Sequence, residues 1–150
     1  MKKLHAGNIE LALARFFNPR INIIVPNVSW GLGFNYECDL LVVTKAGYAT
    51  EIEIKVIRSD IRADFSKRHP HGSNKIRRFF YAVPDYLANC DLLPIDCGLI
   101  SVDENLRCRT LRPPKLNKMA RALTDKEINK LLHLGCMRIW NLKESLYARR

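Results

Sequence analysis

The stretch YECDLLVVTKAGYATEIEIKV, residues 36–56, constrains the fold more than any other part of the chain. Two apolar runs of strand composition flank the turn segment Thr44-Lys45-Ala46-Gly47. A two-residue hairpin loop would need positive φ at both Ala46 and Gly47, and alanine adopts that conformation poorly. A three-residue loop, Lys45-Ala46-Gly47, asks for it only at its last position, where the glycine stands. This register pairs Thr44 with Tyr48, Leu41 with Glu51 and Asp39 with Glu53. Strand alternation then places Asp39, Glu51, Glu53 and Lys55 on one face. The opposite face carries Cys38, Leu40, Val42, Ile52, Ile54 and Val56 and is read as core.

Asp39 and Glu53 become direct cross-strand neighbours, with Cβ atoms about 5 Å apart. Two carboxylates at that distance repel unless a positive charge lies between them. A hard divalent cation suits the position, since Mg²⁺ is commonly held by one or two carboxylates with water and phosphate oxygens. The backbone carbonyl of Ile54 is a further candidate ligand. Lys55, roughly 7 Å along the strand from Glu53, is placed to orient or help deprotonate a metal-bound water, or to stabilise charge on a phosphate.

The net charge of +10 is uneven along the 150 residues. Residues 1–53 carry five basic and five acidic side chains, whereas residues 54–82 carry eight and two, and residues 105–150 carry twelve and three. Two basic regions beside a neutral first third point to a polyanionic partner. Five cysteines with no CxxC spacing fit neither a disulfide framework nor a zinc knuckle, so reduced thiols and no structural zinc are expected. No apolar run reaches membrane-span length and the N-terminus lacks a signal peptide's apolar stretch, which leads to the expectation of a cytoplasmic protein, bacterial or from a phage-infected host.

The remaining pattern predicts a helix over 3–17, a strand over 21–29 interrupted by Pro26, and a helix over about 60–68 capped by Ser59. Strands follow at RFFYAVP, CGLISVD and LRCRTLR, and Thr124-Asp-Lys-Glu127 is a capping box opening a long terminal helix. Its stripe is read as Ile128, Leu131, Leu132, Gly135, Ile139 and Leu142, docked on the body or on a twin subunit. Consecutive strands without intervening helices argue against an all-parallel sheet. The expected class is mixed α/β: a central mixed sheet flanked by helices, with a core over 1–111 and a basic helical extension over 112–150 packed on the same domain.

Asp39 followed by Glu53-Ile54-Lys55 on the next strand resembles the PD-(D/E)XK signature of the restriction-endonuclease-like superfamily, with Cys38 where that signature has proline. ECDLLVV, EIEIKVIRSDIRADF and RFFYAVPDYL with GLISVDE are similar to the bacterial and phage relatives of the MmcB-like DNA-repair family. The resemblance covers roughly residues 8–104. It implies Mg²⁺- or Mn²⁺-dependent hydrolysis of phosphodiester bonds, DNA as substrate, and a role in repair, recombination or phage DNA metabolism. It also implies that Glu10, which lies on the inward stripe of the first helix, stands near the metal.

Glu51 shares the site face and is assigned a supporting or merely exposed role. Among the basic residues that follow, Arg58, Arg62, Lys75 and Arg78 are the candidate DNA contacts, within a run that includes Lys67, Arg68 and Arg77. His69-Pro70-His71 reads as turn composition, and Lys118, Arg121, Lys126, Lys130 and Arg138 as an extension of the basic surface. Two other function classes stay open: a DNA-binding accessory module that keeps the fold without turnover, and an interaction protein that binds an acidic partner. A homodimer is compatible with each.

Overall fold

The structure is a computed structural model that describes residues 2–67 and 73–148. Arg68, His69, His71 and the side chain of Lys67 lie outside the described residues.

The element order is α1 (Ala6–Phe17), β1 (Ile23–Val28), β2 (Cys38–Val43), β3 (Ala49–Ile54), α2 (Arg58–Lys67), β4 (Ile76–Pro84), β5 (Gly98–Val102), β6 (Cys108–Arg112) and α3 (Asp125–Tyr147). The six strands form one sheet in the order β1-β2-β3-β4-β5-β6. The β3–β4 and β4–β5 pairs are parallel and the others antiparallel. This is the mixed α/β class expected from the sequence. Helix α2 makes the crossover that lets β4 run parallel to β3. It begins at Arg58, so Ser59 lies in its first turn and does not cap it.

The β2–β3 register follows the turn chemistry. Leu41 faces Glu51 and Leu40 faces Ile52. The Thr44 amide donates to the Tyr48 carbonyl at 3.0 Å, and the Gly47 amide to the Thr44 carbonyl at 2.9 Å. Gly47 has φ of 84°. A side chain there would also meet Ala122 Cβ at 3.3 Å, because Leu123 bonds the Gly47 carbonyl and brings the chain close.

Both faces of the sheet are covered. Helix α1 packs Ile9, Ala12 and Leu13 on Leu40, Val42, Ile52, Phe80 and Ile100. On the other face α3 covers Val25, Val28, Leu41 and Val43 through Leu131 and Leu134, while Ile61 of α2 meets Phe79, Tyr81 and Val83. Face B, the name used below for this second surface, is therefore closed at both sides and carries Glu51 and Glu53 between its two apolar clusters.

Two expectations are corrected here. Cys38 packs with Leu41 and Val43 on face B, not with Leu40 on the α1 face. Ile128, Leu131 and Gly135 of the expected stripe face the body, joined by Leu134, whereas Leu132, Ile139 and Leu142 are exposed. The contact is centred on residues spaced i, i+3, i+7, and those three leucine and isoleucine positions fall on a different side of the helix.

Candidate active site

Strand β3 brings the site together. Glu53 and Lys55 project from its C-terminal end, Asp39 from the start of β2 beside it, and Asp64 from α2 above. The Ile54 amide donates to Asp39 Oδ2 at 2.7 Å. Within a strand a residue's amide and carbonyl share one edge, so the Ile54 carbonyl lies on the Asp39 side as well. Lys55 Nζ donates to Glu53 Oε1 at 2.8 Å and stands 3.5 Å from Asp64 Oδ1. The lysine folds back along its own strand; the separation of roughly 7 Å expected from strand rise describes the backbones, not the charged ends.

Electrostatics mark these groups as one cluster. Burial raises Asp39 above the ordinary carboxylate range, against the lowering effect of the Ile54 amide. Burial raises Glu53 too, with the Asp39 charge adding to it and Lys55 opposing. Burial alone would lower Lys55, but the hydrogen bond and charge of Glu53, with Asp64, raise it. Lys55 is thus an ammonium at neutral pH. Held there, the ammonium is placed to stabilise negative charge, as one half of its expected role requires.

Glu51 differs from its assignment. It is only 1% exposed, so the merely exposed role is excluded. Tyr36 donates its hydroxyl to Glu51 Oε2 at 2.8 Å, and among the described residues nothing bonds Oε1. Burial, with Glu53 and Asp39 adding and Tyr36 opposing, pushes its pKa up to about 7.

Glu10 is partly buried, and burial followed by the Asp39 charge raises its pKa. It feels the site without completing it. Among the described residues no three carboxylate, imidazole or thiolate groups converge on one point. A hard cation would rest on Asp39, Glu53 and the Ile54 carbonyl, with water filling its other positions. That donor set fits Mg²⁺, which keeps several waters and accepts one or two carboxylates. Asp39 and Glu53 each spend one oxygen on a neighbour, and no hydrogen bond from the described residues reaches Asp39 Oδ1 or Glu53 Oε2.

The basic candidates disperse. Arg58 pairs with exposed Asp91 at 3.0 Å, and Arg62 is exposed on α2. Lys75 is engaged inside the fold: its ammonium bonds the Leu32 carbonyl and lies 3.4 Å from Glu127, so it is a structural tie and not a free phosphate contact. Arg121 is bidentate on Glu127 and Arg138 donates to the Asn27 carbonyl, which withdraws both from the basic surface. Arg78 lines a cleft of about 700 Å³ together with Arg77, Lys115, Lys118 and Asp96. Arg78 pairs with Thr50 and Tyr81 with Glu53, so the cleft opens about 10 Å along the sheet from Glu53.

Three residues of the site were missed in the sequence. Asp64 has a legible signal: it stands three residues after Ile61, on the inward side of α2. Its carboxylate accepts the Tyr81 hydroxyl and holds Lys55. Tyr81 follows by alternation from Phe79. Tyr36 lies in a loop before β2 and carries no periodic signal.

No family model matches the chain, and no curated protein matches it. Among solved structures it is similar to the SPO1766 protein of unknown function from Silicibacter pomeroyi, with a TM-score of 0.68 and 20% identity over 97% of this chain and 93% of that one. At that identity the likeness establishes a shared mixed α/β fold over nearly the whole length.

Proposed function

We propose that the chain is a divalent-cation-dependent deoxyribonuclease. The observation that carries this reading is the meeting of Asp39, Glu53 and Lys55 at one end of face B, two carboxylates of raised pKa beside a held ammonium. A Mg²⁺ or Mn²⁺ bound there would polarise a phosphate and activate its own water. Asp39 and Glu53 would hold the ion, with the Ile54 carbonyl. Lys55, fixed by Asp64, would meet the charge that builds on the phosphate. The basic cleft at Arg77, Arg78, Lys115 and Lys118 supports DNA as the substrate.

A second reading rests on a specific observation. Lys55 already neutralises much of Glu53, so the cluster is also compatible with a DNA-binding module that does not turn over.

A panel of labelled duplex, single-stranded, flap and junction DNA, incubated with Mg²⁺, Mn²⁺ or EDTA, separates the two. We expect cleavage with either metal and none in EDTA. Glu53→Gln and Lys55→Ala should each lose about 100-fold or more in rate. Lys55→Ala also leaves the buried Glu53 without its hydrogen-bonded ammonium, so thermal unfolding must confirm that it is folded at the assay temperature. Cleavage that survives Glu53→Gln would overturn the site. Tight binding with no cleavage of any substrate would select the inert module.

A further inference from the structure

Helix α3 is 23 residues long, and among the described residues only its first part has a partner. Leu131 and Leu134 are buried over β1, and Arg138 makes the last bond to the body. From Ile139 to Ala148 every residue is exposed, so the final turns stand clear of the sheet. A free helical segment of this length is marginal in water without packing. Yet its surface is apolar. Leu132, Ile139 and Leu146 recur at seven-residue steps, as do Trp140 and Tyr147. With Leu142, these side chains are 47% to 81% exposed.

We propose that this face is the interface of a homodimer in which α3 of a second copy lies along α3 of the first. The seven-residue recurrence is the spacing that keeps one helix seated on another. An identical helix supplies the same seam, so the contact is self-complementary and closes with two-fold symmetry. Leu132, Ile139, Leu142 and Leu146 form the seam itself, and Trp140 and Tyr147 flank it on one side. Between Ile139 and Ala148 the charges balance, Lys143 against Glu144, so the segment offers no cationic stripe. Lys143, the cation set among these side chains, places Nζ 5.6 Å from the centroid of Trp140 on its own helix. The adjacent sheet edge offers no competing route, because Pro26 and the positive φ of Asn27 spoil β1 as a template for another strand.

The test is the molar mass of the full chain by light scattering at micromolar concentration. The expected value is twice the 17.3 kDa of one chain, with a melting temperature that rises with protein concentration. Ile139→Glu with Leu142→Glu should halve the mass and abolish the concentration dependence. Leu146→Glu alone should weaken the dimer. All these positions are exposed, so far-ultraviolet circular dichroism should keep its folded signature. A wild-type chain that stays at one-copy mass throughout the micromolar range would overturn the proposal, whatever unlike protein binds the face. A dimer that survives the double substitution would overturn it equally.

Discussion

Glu51 carries one satisfied and one orphaned oxygen in a place that is 1% exposed. Its pKa, raised from 4.5 to about 7, is a statement about stability. A carboxyl whose pKa is raised by folding contributes stability that is complete below the unfolded value. That stability is lost as pH climbs through the folded value. The loss therefore runs from about pH 4.5 to above pH 7. Glu51→Gln keeps an acceptor for Tyr36 and removes the charge. In EDTA the glutamine chain should be more stable than wild type at pH 8 by up to about 3 kcal/mol, the size of the shift converted. The two should converge near pH 4. Urea denaturation at both pH values checks this, and equal stability at pH 8 would mean that Glu51 is solvated or bonded in solution. The same residue shows where sequence reading stops. Its face was fixed by the turn at Gly47, but its burial was not, because Tyr36 and the apolar clusters on either side come from distant segments. Asp39, Glu53 and Lys55 were legible since adjacent strands set them together. Asp64 and Tyr36 required the packing of α2 and of a loop.

Glu127 does at the level of an element what the sequence signature predicts and more. Its side chain accepts from the Thr124 amide at 2.9 Å, completing the capping box of α3. It is also bidentate with Arg121 at 2.9 and 2.8 Å and approached by Lys75, so one carboxylate joins the helix start, the segment before it and the start of β4. The Arg121 hydrogen bonds, with Thr124 and Lys75 assisting, lower its pKa to about 2. The sign is opposite to that of Glu51. A depressed carboxylate contributes stability that is present above about pH 4.5 and is lost as pH falls toward 2. Solvent around Arg121 screens much of the gain, so Glu127→Gln should cost about 1 kcal/mol at pH 7. The gap to wild type should shrink as pH falls from 5 to 3. A gap independent of pH over that range would assign the effect to packing, not charge. The capping box and the long helix were legible locally. The side of α3 that docks was not, since Ile128, Leu131, Leu132 and Leu134 allow two overlapping stripes and only β1 decides between them.

The whole molecule divides its charge as well as its faces. Asp39 and Glu53 meet at the C-terminal end of β3, while Arg78, Lys115 and Lys118 line a cleft at the start of β4. The net charge of +10 is therefore a poor guide to the proposed DNA surface when read along the chain. Lys75, Arg121 and Arg138 are spent on carbonyls and Glu127, and Arg58 is paired on the surface. Lys115 and Lys118 are exposed and line the same cleft as Arg77 and Arg78. Phosphate contacts release counterions, so each one adds about 0.9 to the slope of log affinity against log salt for duplex DNA. With Glu53→Gln in EDTA to prevent cleavage, Lys115→Ala and Lys118→Ala together should lower that slope by about 2. Arg58→Ala should leave it nearly unchanged, because that guanidinium already has Asp91. Fluorescence anisotropy across a salt series measures both. If the slope moves with Arg58 and not with the lysine pair, the DNA approaches along α2, and the cleft at the start of β4 has another use.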